Sequence, residues 1–508
     1  MSILDRLKDF QDPEPEKEAP AAGQAEGSLL KKKKPVPDSA PEEAAPEESG
    51  EYDPLSLQAP RTIDELGVRR DFLLPHILKT VFVLDTFTVS EAAENLSLPV
   101  NITNDLLEEW VTLKCVEITS ASGYQAASRR FAMTSEGRRH AREHMNLSGY
   151  IGPVPVPLST YTGMVKRQTV LNVKVNSEGL KKALSHLIVS DKLFKPLGPA
   201  VNSGRTIFLY GPPGNGKTAI AVALSSLLSG LVAIPKAVEL DGFVMRLYDP
   251  SIHIAEGDQP EDRRWLRCKR PIVIVGGELT IEMMELRMEP NSNTYEAPPH
   301  VKSNSGIFIL DDFGRQLVRP RDLLNRWIVP LESRVDYLSL HTGSKVKIPF
   351  DQLVIFSTNI NPKDLLDEAF MRRLRHKIYI GPLEPTGFRA AFKMACASKK
   401  VPWNGDVFDK LIKDVYEPQG LPFNGCHPRD LLDHLIDLGE VRREDPRDDR
   451  GPPHAGLREL FRADPGRGQR GVHILGRRRR PFEISAAHRQ SHSGDKDVLR
   501  HHTEPAPA

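Results

Sequence analysis

Residues 206–210 read TIFLY, and residues 211–218 read GPPGNGKT. The first run, β-branched and aromatic, is a strand signal. The second holds three glycines, a lysine and a threonine, and an Ala- and Leu-rich helical stretch opens at Ala219. Strand, glycine loop, lysine with hydroxyl, then helix is an arrangement that cradles phosphate: backbone N–H groups turn inward and the helix N-terminus adds its dipole. Gly211, Pro212, Pro213, Gly214, Asn215 and Gly216 form the cradle. Lys217 is expected to reach the β- and γ-phosphates and Thr218 to ligate Mg²⁺, so ATP and Mg²⁺ are the expected cofactors.

Such a loop needs an acidic element on a neighbouring strand. Residues 306–312, GIFILDD, are an apolar strand ending in two carboxylates. Adjacent acids at a buried strand end are costly unless a cation is near. Asp311 is placed to hold Mg²⁺ through water, and Asp312 to act as general base or to position water. A second apolar strand, DQLVIFSTN at 351–359, ends in a polar cluster at Asn359. DEAFMRRL at 367–374 and GCHPRDLLDH at 425–434 follow.

In this order and spacing, the segments resemble AAA+ ATPases over about residues 165–440. The resemblance implies an α/β fold: a P-loop core with a parallel sheet flanked by helices (166–383) and a small α-helical lid (384–440). It casts Asn359 as sensor 1 and Arg429 as sensor 2. Arg372 or Arg373 becomes the arginine finger that reaches the γ-phosphate of the neighbouring subunit. A ring oligomer is implied, a hexamer by expectation, with hydrolysis dependent on assembly and an unknown protein substrate. The stretch RVDYLSLHTGSKVKIPFD from Arg334 alternates apolar and polar residues around His341-Thr342-Gly343-Ser344, a hairpin pattern. A hairpin there resembles the mark of the pre-sensor 1 hairpin clade; a bacterial chaperone-like ATPase group associated with Flp-type pilus assembly is also similar. PIVIVGGELTIEMMELRMEPNSNTYEAPP, from Pro271, reads as a further insertion, its aromatic and methionine residues either lining a ring pore or packing at the surface.

Two features depart from the family pattern. Where the family has a glutamate base this chain has Asp312, one methylene shorter, which implies slower hydrolysis or a nucleotide switch. After LLDHLIDLGE, residues 441–508 turn rich in Arg, Pro, Gly and His and lose helical periodicity, reading as disorder or a shifted reading frame in preference to a basic tail that binds RNA or anionic surfaces.

Upstream, residues 1–60 are a Pro/Glu/Ala/Lys tail expected to be disordered, with a basic run at Lys31–Lys34 and a short apolar face of Ile3, Leu4, Leu7 and Phe10. Residues 61–147 order as helix, helix-turn-helix, hairpin, helix, which resembles a winged-helix-like α+β domain. Its third helix carries Asp105, Glu108 and Glu109, which would repel DNA phosphates, although Arg129, Arg130, Arg138 and Arg139 could touch a backbone from the wing side. Protein docking is therefore favoured over DNA. Residues 148–165 read as a linker. Across all 508 residues 69 basic groups meet 68 acidic ones, so no overall field argues for nucleic acid or membrane. Cys115, Cys268, Cys396 and Cys426 lack metal spacing and read as thiols of a reducing cytosol. No run is long and apolar enough for a membrane span, and a cytoplasmic location is expected. A protein-remodelling motor, a DNA-directed ATPase and a slow nucleotide switch remain the three function classes.

Overall fold

The computed structural model describes residues 57–120, 129–365, 371, 372 and 374–444. The N-terminal tail up to residue 56, Arg373 and the Arg-rich stretch after Glu444 lie outside them.

Near the N-terminus, helices α1 (Arg70–Phe82), α2 (Val89–Leu96), α3 (Val100–Thr112) and α4 (Ser135–Leu147) surround three short strands. These are β1 (Thr86–Thr88), β2 (Val116–Ser120) and β3 (Arg130–Met133), antiparallel in the order β1-β3-β2. A capping box starts α2: the Thr88 hydroxyl accepts the Glu91 N–H while the Glu91 carboxylate accepts the Thr88 N–H. Ser97, at φ +57°, ends the helix in a left-handed turn that leads into α3. Leu73, Ile77, Phe87, Leu106, Trp110 and Phe131 close a separate apolar core over this region.

The stretch expected as a linker is instead built into the fold. Val156–Pro157 forms the edge of a second sheet, a position where a proline, which has no N–H to give the ladder, is tolerated. Helix α5 (Leu158–Arg167) then buries Tyr161, Met164 and Val165. The described fold likewise reaches back to residue 57 rather than 61, since the Leu57 carbonyl accepts the Asp262 N–H at 3.2 Å.

The central sheet contains β4 (Ile207–Tyr210), β5 (Ile272–Val275), β6 (Ile307–Leu310), β7 (Leu353–Thr358) and β8 (His376–Tyr379). All are parallel, in the order β5-β6-β7-β4-β8. Phe208, Phe308, Ile309, Ile355 and Phe356 are fully buried, as sheets covered by helices on both faces require. Helices α6 (Lys217–Ser225) and α7 (Pro320–Ser333) follow β4 and β6. The earliest of these strands thus sits between the two latest, and the order in which the chain adds strands reverses beside it, opening a crevice at the carboxyl ends of β4, β6 and β7. The fold class is α/β, a parallel sheet flanked by helices.

Between α6 and β6 the chain builds a second sheet. Its strands run in the order Arg287–Glu289, Thr294–Glu296, Phe243–Arg246, Ala237–Leu240 and Val156–Pro157, beside a separate antiparallel pair, Leu231–Pro235 with Trp265–Lys269. This divides the stretch expected as one insertion. Ile272–Val275 is the edge strand of the central sheet. Met284 and Tyr295 are buried, so these two side chains serve packing and not an exposed pore surface. The hairpin expected before β7 is present: Val335–Ser339 pairs antiparallel with Lys345–Pro349. Its tip is tied down, because the His341 N–H donates to the Tyr295 hydroxyl at 2.8 Å and the His341 ring packs edge-on to Phe243.

Beyond β8, α8 (Pro385–Ser398), Gly405–Leu411 and α9 (His427–Glu444) form a small helical unit around Phe388, Phe392, Phe408, Tyr416 and Leu431. No helix among the described residues is long and apolar enough to cross a membrane. All four cysteines are free thiols.

Candidate functional site

The loop after β4 takes its shape from its glycines. Gly211, Gly214 and Gly216 have φ of +142°, +79° and +79°, a region other residues enter at a cost. At Gly211 the requirement is also steric, since a Cβ there would lie 2.2 Å from the Ile380 carbonyl oxygen. A Cβ at Gly216 would meet nothing within 4 Å, so the cradle is open on that side. Lys217 opens α6 and is buried; its Nζ donates to the carbonyls of Gly211 at 3.0 Å and Pro212 at 2.9 Å. Burial pushes its ammonium below the usual lysine range, and the Asp312 and Asp311 carboxylates pull the other way.

Thr218 and Asp311, 93 residues apart, meet across the crevice: the Thr218 hydroxyl lies 2.8 and 3.0 Å from the two carboxylate oxygens. Sheet pairing puts them there, because β4 and β6 flank β7 and end at the same level, and the Asp311 N–H continues the ladder to the Val275 carbonyl at 2.8 Å. Hydroxyl and carboxylate are hard oxygen donors that suit Mg²⁺. The described residues hold no group of three or more His, Cys, Asp or Glu able to bind a metal. A cation here would take its remaining ligands from phosphate and water, as Mg²⁺ commonly does.

Asp312 breaks the strand. Its φ of +48° turns the backbone into the left-handed region, which Asp tolerates better than most residues. That turn aims its carboxylate at Asn359, whose Nδ2 donates to Oδ1 at 2.8 Å. The Gln316 amide braces the same turn, donating to the Asp311 carbonyl at 3.1 Å, and the Phe313 N–H donates to the Ser357 carbonyl at 2.7 Å. The structure therefore brings together Lys217, Thr218, Asp311, Asp312 and Asn359.

The arginines sit elsewhere. Arg372 is exposed, and Arg373 lies outside the described residues. Arg429, in the first turn of α9, has a side chain 71% exposed whose nearest carboxylate is Asp430 at 3.7 Å. The helical unit reaches the loop through residues that sequence reasoning passed over. The Cys426 N–H donates to the Gly214 carbonyl at 2.7 Å, and Asn215 bonds to Asn424 and Gly425. The signal available for these was the Asn-Gly pair ahead of α9, and nothing comparable marks Gln316.

In the N-terminal region, most of the acids and arginines weighed for DNA contact are held in ion pairs, one of them with each other. Arg129 holds Glu108 at 2.7 Å, Arg138 holds Asp85 at 2.6 Å, and Arg139 lies between Glu136 and Glu143. Glu109 meets Arg70 at 3.2 Å.

A family model described as a domain of unknown function (DUF8689) matches residues 384–449. No curated protein matches the chain. Among solved structures, NtrX from Brucella abortus, crystallised with ADP, is 16% identical with a TM-score of 0.34, over 64% of this chain and 67% of its own. A mutant RuvB from Thermotoga maritima is 15% identical with a TM-score of 0.31, over 58% of this chain and 73% of its own.

Proposed function

We propose that this chain is an AAA+ ATPase that hydrolyses ATP as part of a ring and works on protein partners. The observation that carries the reading is the Thr218–Asp311 contact of 2.8 Å beneath the glycine loop, with Lys217 beside it. Two strands distant in sequence converge there on a hydroxyl, a carboxylate and an ammonium, the set that phosphoryl transfer requires. Mg²⁺, when bound, neutralises charge developing on the phosphates. Lys217 leaves the loop carbonyls for phosphate oxygens, Thr218 and Asp311 hold the cation, and Asp312 orients water while Asn359 fixes its carboxylate. Arg372 or Arg373 completes the neighbouring subunit's site, and Arg429 reports the nucleotide to the lid.

The ion pairs on α3 and α4 support protein over DNA as the partner. Three of the four wing-side arginines are already engaged by carboxylates, so a phosphate backbone would have to displace them. One observation favours a slow switch as second reading: the short Asp312 side chain already accepts from Asn359.

Steady-state ATP hydrolysis against protein concentration tests this. Turnover per subunit should rise with concentration. Lys217→Ala should lower it at least about 100-fold, and joint Arg372→Ala/Arg373→Ala about a thousandfold. Wild type that binds ATP yet never turns over would leave the switch, and Asp312→Glu would then be expected to start hydrolysis.

A further inference from the structure

We infer that Asn215 is the positioning residue that ties the phosphate loop to the lid, a role that rests on the ATPase reading above. Its carboxamide is turned toward the lid. Oδ1 accepts the Gly425 N–H at 3.1 Å, and Nδ2 donates to Asn424 Oδ1 at 3.2 Å. The same Nδ2 lies 3.2 Å from the Pro212 carbonyl and 3.4 Å from that of Pro213. One side chain thus bonds its own loop at one end and the loop ahead of α9 at the other. A carboxamide is suited to this because it presents donor and acceptor together.

The Pro212 carbonyl makes the arrangement sensitive to phosphate. It accepts from Lys217 Nζ at 2.9 Å as well as from Asn215. Phosphate oxygens compete for the Lys217 ammonium with charge-assisted bonds, stronger than those to neutral carbonyls. When Lys217 leaves, the Pro212 carbonyl is left to Asn215, whose two amide hydrogens are spread over three acceptors. The amide shifts toward Pro212 at the expense of Asn424, and the change passes from Lys217 to the lid in two hydrogen bonds. The Cys426 N–H bond to the Gly214 carbonyl at 2.7 Å joins the same two loops through backbone alone, and the Asn215 carboxamide adds the side-chain link that touches the Lys217 acceptor.

The test is amide hydrogen exchange over residues 421–430 in the full chain, with and without ATP, alongside ATP titration and steady-state kinetics. Without nucleotide, Asn215→Ala should speed exchange at Gly425 about tenfold, the equivalent of one lost hydrogen bond. Asn424→Ala, which alters the lid and leaves the phosphate loop intact, should do so by a smaller factor. With ATP, wild type should change its exchange across residues 424–427. Asn215→Ala should still bind ATP but lose that change, with kcat lowered about tenfold and KM little altered. Retention of both the resting protection and the ATP-dependent change in Asn215→Ala would overturn the inference. Failure of wild type itself to bind ATP would sink the ATPase reading, and unchanged Gly425 exchange in the nucleotide-free Asn215→Ala arm would separately sink the latch.

Discussion

Two five-stranded sheets among the described residues are built on opposite plans. The central one is parallel throughout, with strands of four to six residues, and its inner members β6 and β7 are buried at every position. The second mixes parallel and antiparallel pairs in strands of two to four residues, and its burial is patchy. The first places the chemistry: every residue of the crevice cluster follows the carboxyl end of β4, β6 or β7. The second holds peripheral parts in place. The N-terminal region docks on or beside it through Lys236 to Ser97 Oγ at 3.0 Å, Arg264 to the Leu66 carbonyl at 3.2 Å and the Gly149 N–H to the Ser292 carbonyl at 2.8 Å. A rigid sheet covered on both faces gives precise placement at a strand end. A sheet of short, unevenly buried strands, packed on its own apolar cluster and joined to its neighbours largely by single polar contacts, gives a platform that can yield.

That contrast is broken most sharply at Phe308. It is fully buried on β6, two residues before the crevice end of the strand, with its ring 5.3 Å from that of Trp327. Phe308→Ala should cost about 3–5 kcal/mol, read from the urea midpoint. Because β6 carries Asp311, ATP affinity should fall with it. A midpoint within experimental error of wild type would mean that the central sheet is not the rigid member of the pair.

The platform should fail in acid. His76 stacks on Tyr150 at 5.3 Å and bonds through Nε2 to the Gly152 carbonyl at 2.9 Å, where α1 meets the segment leading to the second sheet. Burial lowers its pKa from 6.5 to about 4, and the Lys79 charge pushes the same way. The folded state therefore keeps His76 neutral while the unfolded chain takes up a proton. Stability is whole above pH 6.5 and falls as pH drops toward 4, by about 3 kcal/mol in the limit. Urea midpoints at pH 7.5 and 4.5 should diverge more in wild type than in His76→Phe. Equal divergence would remove His76 from the account.

Legibility follows the same division. β4, β6 and β7 were readable because each is a continuous apolar run that ends in chemistry, and parallel pairing then brings Thr218 to Asp311 without further information. β5 was misread as insertion. It is an edge strand whose Ile272 and Ile274 are 42% and 48% exposed, and a four-residue apolar run beside two glycines carries no period to separate strand from loop. Val156–Pro157 was hidden for a related reason: two residues cannot show alternation, and proline argues against a strand unless the strand is known to be an edge. The Asn215–Gly425 contact was beyond reach altogether, because it joins residues 210 apart through one side chain and one backbone N–H. Patterns report how an element is buried; they do not report which surface loop will lie across another.

The smallest expected effect sharpens the comparison where the two halves touch. The Tyr295 hydroxyl, on the second sheet, accepts the His341 N–H and is hydrogen-bonded to the His341 ring nitrogen, so the tip of the hairpin before β7 is fastened to the platform. Tyr295→Phe removes both bonds while keeping the buried ring, and should cost about 1 kcal/mol. The core should not register it, so the urea midpoint should move far less than for Phe308→Ala. Amide exchange at residues 340–344 should rise about tenfold while β6 and β7 stay protected. If exchange in β7 rose in step with the tip, the hairpin and the central sheet would be opening as one unit, and the distinction between a placing sheet and a yielding one would not hold at their junction.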